Sequence, residues 1–301
     1  MNQTAPDQCL VCGGTASKTF ELVPAEAGES FEVFVCSHCG IGETRPVPED
    51  LSPYYQNYYG KRHGITARYR ARRRLSRVSR YVKDGSLLDI GYGEGTFLDL
   101  AASKGYKCAG VERFSANTAR AFETFDDVET IRHSADCSFA VVTLWHSLEH
   151  LEDPNTALDT INDILSTDGS VFIAVPNFAS RQATIFGKNW LHLDVPRHLF
   201  HFTPESLEKM LSEHGFQIAD IWHHESEYDI MGWSQSTLNA VFDEKSIFFN
   251  TLTGKPTSAG PFTRSLNFLA GMVFSAAALP LVLLDIATKR GGTIVVRATR
   301  K

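Results

Sequence analysis

The sequence predicts an α/β fold built on an open, doubly wound sheet, and three segments carry this prediction. An apolar run leads into the alternating glycines Gly91, Gly93 and Gly95, and a helical pattern follows them. Residues 106–112 are typical of a second strand that ends in an acid, and residues 139–145 are typical of a buried strand. Glycines at such a turn let a ligand approach the backbone and the free N–H groups at the start of the helix.

Length and composition allow one large domain with additions, or two domains. The chain has 301 residues, of which 43% are apolar, and its net charge of -6 gives no general preference for nucleic acid. Residues 61–83 nevertheless hold ten Lys or Arg and no acid. The first twenty residues are polar and contain no apolar central run, so no secretory signal is predicted. Cysteines in C-x-x-C pairs suit a reducing compartment, which favours the cytoplasm.

Two C-x-x-C pairs predict a zinc ribbon over residues 1–45. Each pair places two thiolates on one tight turn, and two such turns form a tetrahedral four-sulfur site. Residues 31–35 between the pairs alternate like a strand of a hairpin. The side chains that we expect to bind Zn²⁺ are those of Cys9, Cys12, Cys36 and Cys39. His38 is an alternative ligand, but four cysteines already fill the site, and a closed site of this kind has a structural role.

A linker and a basic helix are predicted for residues 46–84. Three prolines in residues 41–53 indicate the linker. Residues 66–82 predict a helix in which apolar residues recur at helical spacing. The remaining surface is covered by arginines, namely Arg70, Arg72, Arg73, Arg74, Arg77 and Arg80. This basic surface is either a solvated face or a site for an anionic partner. That partner would be a membrane surface or the phosphates of RNA.

The segments around the glycine turn resemble a known family. The spacing G-x-G-x-G after the strand end at Asp89, with Thr96 in place of the third glycine of the dinucleotide-binding pattern, resembles motif I of the class I S-adenosylmethionine (SAM) methyltransferases. Residues 146–154 resemble a segment of the ubiquinone-type O-methyltransferases, and residues 169–177 resemble the fifth strand of that family. The resemblance extends over roughly residues 50–225 and the last ten residues.

This resemblance implies a Rossmann-like, seven-stranded methyltransferase sheet over residues 85–301 and a SAM cofactor. Glu112 lies 21 residues after Gly91, about the spacing at which an acid meets ribose hydroxyls. In the family, an acidic or polar residue after the third strand meets the adenine. Tyrosines before the main domain form an aromatic stripe against it, or else Tyr55 or Tyr59 closes over SAM. The residues that we expect at the cofactor are Asp89, Gly91, Tyr92, Gly93, Gly95, Glu112, Asp136, Leu144 and Tyr59.

Two histidines are candidates for the general base. Residues 190–203 contain a Trp…Pro-Arg-His-Leu…His-Phe-Thr pattern, which resembles the SAM methyltransferases of bacterial surface-polysaccharide and lipid gene clusters. This loop should overhang the acceptor, so His198 is the preferred base. His146, at the end of a strand, is the second candidate, because histidine near its unperturbed pKa suits proton removal. The alternative is that Arg197 and His198 brace the loop.

The remaining elements complete the predicted sheet and its helices. Helices are expected at residues 96–104, 114–125 and 204–214. Strands are expected at residues 128–131, 216–223 and 292–299.

Residues 229–290 are predicted to be an insertion before the last strand. Within it, residues 265–284 carry no charge and are long enough, at about 1.5 Å per residue, to cross a bilayer. The seventh strand must pair beside the sixth, however, and one crossing would leave the two on opposite sides of the membrane. We therefore expect a helix that is buried, pairs with a second subunit in a homodimer, or lies in the membrane interface. The basic helix favours the interface.

The expected activity is SAM-dependent O-methylation of a sugar, a glycan or a lipid-linked small-molecule acceptor. The expected location is the cytoplasm, peripherally on the inner face of the membrane. One alternative is an RNA methyltransferase that uses the ribbon and the arginine helix. The Asn/Asp-Pro-Pro-aromatic motif of amino-group methylation is missing there, since residues 144–147 read Leu-Trp-His-Ser. The other alternative is an inactive SAM-binding interaction module.

Overall fold

The described part of the chain contains two β-sheets and helices that pack on them. The computed structural model describes residues 7–22, 29, 31–55, 65–113, 121–133, 138–242 and 244–301. The strands are β1 (Ala16–Leu22), β2 (Phe31–Cys36), β3 (Gly42–Arg45), β4 (Ser86–Ile90), β5 (Lys107–Val111), β6 (Glu123–Phe125), β7 (Phe139–Trp145), β8 (Leu165–Pro176), β9 (Phe200–His201), β10 (Phe216–Trp222) and β11 (Thr293–Arg300). The helices are α1 (Ser52–Tyr55), α2 (Ile65–Val78), α3 (Thr96–Ala102), α4 (Pro154–Ile164), α5 (Arg181–Phe186), α6 (Pro204–Glu213), α7 (Ser226–Val241), α8 (Ile247–Thr253) and α9 (Pro261–Ala287).

The larger sheet has seven strands in the order β10-β11-β8-β7-β4-β5-β6. The pairs β7–β8, β4–β7, β4–β5 and β5–β6 are parallel. The central strands are buried on both faces, as the apolar runs Leu87–Leu88 and Val141–Val142 predict. The predicted α/β fold is therefore confirmed, and β11 lies beside β10 as expected.

Two predicted elements between β5 and β7 are wrong. The third strand is Glu123–Phe125 rather than residues 128–131, and Glu129–His133 is a short 3₁₀ helix. The predicted helix over residues 114–125 therefore ends in a strand, and its first seven residues lie outside the described part of the chain. Ile131 is fully buried, so its hydrophobicity indicated burial but not the type of element.

The chain divides into two compact units, each of three segments. The first unit comprises Met1–Gly60, Val175–Lys209 and Trp222–Val295, and the second comprises Lys61–Ala174, Met210–Ile221 and Val296–Lys301. Most of the seven-stranded sheet belongs to the second unit, together with α2, α3 and α4. The predicted division into three consecutive regions stays a prediction.

The smaller sheet belongs to the first unit and has the strand order β1-β2-β3-β9. β3 pairs antiparallel with β9, which brings Gly42 opposite His201 and Glu43 opposite Phe200. The linker prediction for residues 41–53 is therefore wrong over β3. In the same unit α7 and α9 pack together, and α9 is the one helix among the described residues that is long and apolar enough to cross a membrane.

In the second unit, α2 packs on α3 and buries the apolar stripe that the sequence predicts. Ala71, Leu75 and Val78 are buried, which confirms the stripe, and the helix ends at Val78 rather than at residue 82. The prediction that all the arginines cover the outer surface is wrong, because Arg77 is buried as well.

Candidate functional site

The glycine turn begins where β4 ends. Gly91, Gly93 and Gly95 all adopt positive φ angles, of 79°, 55° and 76°, which other residues adopt at an energetic cost. A Cβ atom on Gly91 would lie 2.5 Å from the Cβ of Ser147. The hydroxyl of Ser147 also donates a hydrogen bond to the Ile90 carbonyl at 2.6 Å. The turn is therefore held directly against the segment that follows β7.

Glu112 follows β5 and reaches the glycine turn. Its Oε2 accepts a hydrogen bond from the backbone N–H of Gly93 at 2.8 Å. In open α/β sheets, ligands bind at the carboxyl ends of the strands, and an acid in this position binds ribose hydroxyls. The structure thus brings the predicted residues Glu112 and Gly93 together, while their contact with a cofactor stays a prediction.

Asp89 lies in β4, two residues before Gly91, and is buried. Its carboxylate accepts a hydrogen bond from Thr143 Oγ1 at 2.6 Å. Burial raises the pKa of Asp89 to about 7, against the Thr143 hydrogen bond and the charge of Arg74, which both lower it, while Glu112 raises it further. The guanidinium of Arg74 lies 5.0 Å from the centre of the Trp145 ring. Arg74, an arginine of the basic helix, therefore contacts buried groups of the sheet rather than covering the outer surface.

His146 follows β7 and adopts a left-handed conformation with a φ of 58°. Its backbone N–H donates to the Ala174 carbonyl at 2.9 Å, and its Nδ1 lies 3.6 Å from Glu149 Oε1. Because the adjacent Ser147 is bonded to β4, His146 is fixed beside the glycine turn. This places a candidate base and the candidate cofactor loop at one edge of the same unit.

His198 lies in the first unit and is buried. Its Nδ1 is 2.9 Å from the His192 carbonyl, and since a carbonyl only accepts, Nδ1 carries the proton. Its Nε2 lies 3.8 Å from Asp194 Oδ2, and Asp194 also forms an ion pair with Arg197. These contacts are the bracing interactions that the sequence offered as the alternative to a base, and the choice between the two roles stays open to experiment.

The other predicted cofactor residues have different surroundings. Tyr92 is buried, and its ring meets Phe122 edge to face at a centroid distance of 5.5 Å. Leu144 is fully buried in β7, so its side chain belongs to the core. Tyr59 and Asp136 lie outside the described residues.

Sequence reasoning missed Thr143, Arg74 and Gly110. A Cβ atom on Gly110 would lie 2.4 Å from Cδ1 of Tyr92, so the ring packs where any other side chain would stand. An isolated glycine inside a strand does signal such a close approach. Thr143 and Arg74 gave no comparable signal, because their partner Asp89 is distant in sequence.

The four predicted zinc ligands converge in the first unit. Their sulfurs lie within 4.8 Å of one another, with Cys9–Cys39 at 3.7 Å and Cys12–Cys36 at 3.6 Å. A tetrahedral site with Zn–S bonds of about 2.3 Å has sulfur–sulfur edges of about 3.8 Å. The His38 side chain is exposed and does not belong to the described cluster.

At one of the four cysteines, Cys36, the local electrostatics also suit a metal-binding thiolate. Burial acts to raise the pKa of Cys36, but hydrogen bonds from the backbone N–H groups of Cys39 and His38 and from neighbouring thiols lower it to about 7. Both N–H donors lie 3.4 Å from Cys36 Sγ. A thiolate is the form that coordinates zinc.

Comparisons with known proteins agree with this geometry. Residues 63–221 match the family model described as a methyltransferase domain. The chain is similar to a solved SAM-dependent methyltransferase from Archaeoglobus fulgidus, at 19% identity and a TM-score of 0.50, covering 84% of this chain and 100% of that one. It is also similar to 1,6-didemethyltoxoflavin-N1-methyltransferase from Burkholderia thailandensis, at 15% identity and a TM-score of 0.44, over 68% and 91% of the chains. At such identities the first likeness supports the fold alone. No curated protein matches the sequence.

Proposed function

The chain belongs to the methyltransferase-domain family and is a SAM-dependent methyltransferase, and we propose that it methylates a hydroxyl group with a histidine as the general base. The acceptor we propose is a sugar, a glycan or a lipid-linked small molecule. The observation that carries this proposal is the pairing of His146 with the glycine turn through Ser147. A base beside the cofactor loop suits an acceptor that must lose a proton during the transfer.

The residues at the glycine turn fit SAM by their chemistry. The turn offers backbone N–H groups, and the Glu112 carboxylate offers acceptors for ribose hydroxyls. When bound, SAM supplies an electrophilic methyl group on a sulfonium. The protein then has to orient the acceptor, exclude water and take up one proton.

We assign proton uptake first to Nε2 of His146. Its Nδ1 lies 3.6 Å from Glu149, and that carboxylate would stabilise the imidazolium once Nε2 has taken the proton. His198 is the second candidate: the His192 carbonyl holds its Nδ1 proton, so Nε2 is the atom that accepts, with Asp194 at 3.8 Å.

Substitution with Asn separates the two bases. Asn tolerates positive φ, so His146→Asn keeps the left-handed backbone, and His198→Asn is the matched variant. We expect His146→Asn to lower kcat by about 10²–10⁴-fold and to abolish the acidic limb of the pH profile, with SAM affinity unchanged. A loss of activity in His198→Asn alone would identify His198, in the loop, as the general base. Full activity in both variants contradicts base catalysis by either histidine.

The acceptor class is tested by following labelled methyl from SAM into a host extract. We expect label that partitions into organic solvent or glycan fractions, which agrees with a cytoplasmic protein working peripherally at the inner face of the membrane. Label that nuclease digestion releases would instead identify RNA. Binding of SAM without any transferred label would favour an inactive interaction module.

We also propose that the four cysteines bind one structural Zn²⁺. The sulfur–sulfur distances and the N–H donors at Cys36 support it. The metal would hold together the two Cys-x-x-Cys turns beside the small sheet. We expect one equivalent of zinc by elemental analysis and its loss in Cys36→Ser. Cys108→Ser, which removes a thiol outside the cluster, should keep the metal.

A further inference from the structure

The polarity of α9 is reversed relative to a helix on the surface of a soluble protein. Two of its polar residues, Asn267 and Asp285, are each 1% exposed, whereas Leu269 and Val273 are 64% and 66% exposed. A surface helix in water turns its apolar stripe inward and its polar face outward. The outer surface of α9 is therefore suited to contact something other than water.

The inner side of α9 is held by specific polar contacts. Asp285 accepts hydrogen bonds from Trp233 Nε1 at 2.9 Å and from Arg181 Nε at 2.8 Å. About one and two helical turns before Asp285, Val282 and Ala278 pack in one cluster with Trp233. The orientation of the helix is thus fixed by its polar residues, and rotating it to hide the leucines would expose or break these bonds.

The exposed apolar surface is too wide for one helix partner. Leu279 and Leu284 are 51% and 46% exposed, and five residues at about 100° each place them about 140° apart around the helix axis. A seam with one helix of a second copy covers a stripe of about 100° or less. A lipid phase covers the whole surface. Arg264 and Arg290, both exposed, lie near the two ends of the apolar run, where lipid head groups would meet them.

We infer that α9 is a membrane anchor that lies in the plane of the bilayer, with its exposed leucines in the acyl region. A crossing is excluded by topology, because α9 lies with α7 and α8 in the connection from β10 to β11, and these two strands are neighbours in one sheet. Among the described residues no second helix could return the chain. The inference rests on the surface of α9 and is independent of the acceptor that the enzyme methylates.

Flotation of the full chain with vesicles of phosphatidylethanolamine and anionic phosphatidylglycerol tests the anchor. We expect the wild-type protein to float with the vesicles. Leu279→Glu and Leu284→Glu should each lower the bound fraction about tenfold or more. The control is Ile221→Glu, at a 39% exposed aliphatic residue of β10, which should bind like the wild type.

The same variants distinguish the bilayer from a second copy of the chain. A wild-type protein that stays in the soluble fraction overturns the anchor. So does a dimeric mass by light scattering that only one of the two α9 variants abolishes, because a helix seam covers only one of these positions. Calorimetric SAM binding by each variant shows that it is folded. This readout also separates failure of the anchor from failure of the proposed catalysis, since vesicle binding requires no turnover.

Discussion

The helices α2 and α9 have opposite compositions, since α2 is rich in arginine and α9 is mainly apolar, yet both place polar residues on their inner side. α2 carries six arginines, yet Arg77 is buried and Arg74 lies over the ring of Trp145. α9 contains a charge-free run of twenty residues, yet Asn267 and Asp285 occupy its inner side. In both helices a charged group that points inward has a fixed partner, which is the Trp145 ring for Arg74, and Arg181 and Trp233 for Asp285.

The outer surfaces of the two helices show the difference that matters for function. Around the inward arginines of α2, residues such as Arg72 remain exposed, so water can solvate that surface. Around the inward acid of α9, leucines remain exposed, and water is a poor solvent for them. A helix with polar residues on its inner side can therefore face either water or an apolar medium, and only its outer face indicates which of the two it contacts.

The largest expected effect comes from removing the partner of Asp285. Arg181→Met leaves that buried carboxylate without its cation, and breaking a buried ion pair in this way costs about 3–5 kcal/mol. Urea unfolding followed by circular dichroism measures the change in free energy of unfolding. Arg290→Met removes an exposed arginine of the same unit and should change it by less than about 0.5 kcal/mol. Equal effects of the two variants would show that the Asp285 contact does not orient α9.

The second effect concerns the inward arginine of α2 and depends on pH. Asp89 has a pKa of about 7 in the folded chain against 3.8 unfolded, so the folded state binds the proton more tightly. The stability that Asp89 contributes is therefore present at low pH and is lost as pH rises through about 7. Arg74→Met removes a charge that lowers this pKa, so the folded carboxyl should hold its proton to still higher pH.

We expect Arg74→Met to cost about 1 kcal/mol near pH 5, from the lost aromatic contact, and about 2 kcal/mol near pH 9, where Asp89 has to ionise without its cation. Urea unfolding at both values measures this. In the Asp89→Asn background the Arg74→Met cost should be the same at both. A pH-independent cost in the wild-type background would mean that Arg74 and Asp89 do not interact.

The sequence predicted those parts of the fold and site whose signals are local. The glycine turn, the acid at Glu112 and the buried strand β7 each follow from a dozen residues or fewer, because glycine dihedrals and apolar runs are properties of the chain itself. The two cysteines of each pair lie close for the same reason, since each knuckle is a single turn, and the antiparallel strands β1 and β2 bring the two knuckles together.

The missed features depend on partners that are far apart in sequence. β3 pairs with β2 along its four residues and with β9, a two-residue strand more than 150 residues later, along two of them. Neither β3 nor β9 is long enough to show periodicity in the sequence. The third strand of the seven-stranded sheet, β6, is three residues long and begins with Glu123. Hydrophobicity therefore favoured the neighbouring residues Val128 and Ile131 as the strand. Arg74 was predicted to be on the surface, because helical spacing shows which residues share a face but not that Asp89 and Trp145 lie beneath this one.

A smaller effect is expected when two adjacent residues of α9, one on its buried side and one on its exposed side, are compared. Val282 is buried against Trp233, and its neighbour Leu283 is exposed. Val282→Ala should cost about 1–2 kcal/mol, because it leaves space in a packed contact. Leu283→Ala should change the free energy of unfolding in buffer by less than about 0.5 kcal/mol while weakening vesicle binding. If Leu283→Ala proved the more destabilising, α9 would have the opposite orientation, and its leucines would not be available to lipid.

The smallest expected effect concerns the outer arginines of α2, and it is the one that decides whether that surface has a partner. Arg68 and Arg72 are both exposed, so replacing them with Gln should change the free energy of unfolding by less than about 0.5 kcal/mol and leave methyl transfer unchanged. Labelled transfer at low and high salt measures the second point. An RNA acceptor would give a different result, since losing two phosphate contacts lowers affinity and flattens its salt dependence. In that case the outer face of α2 would be a binding surface like that of α9, with phosphates in place of lipid as the partner.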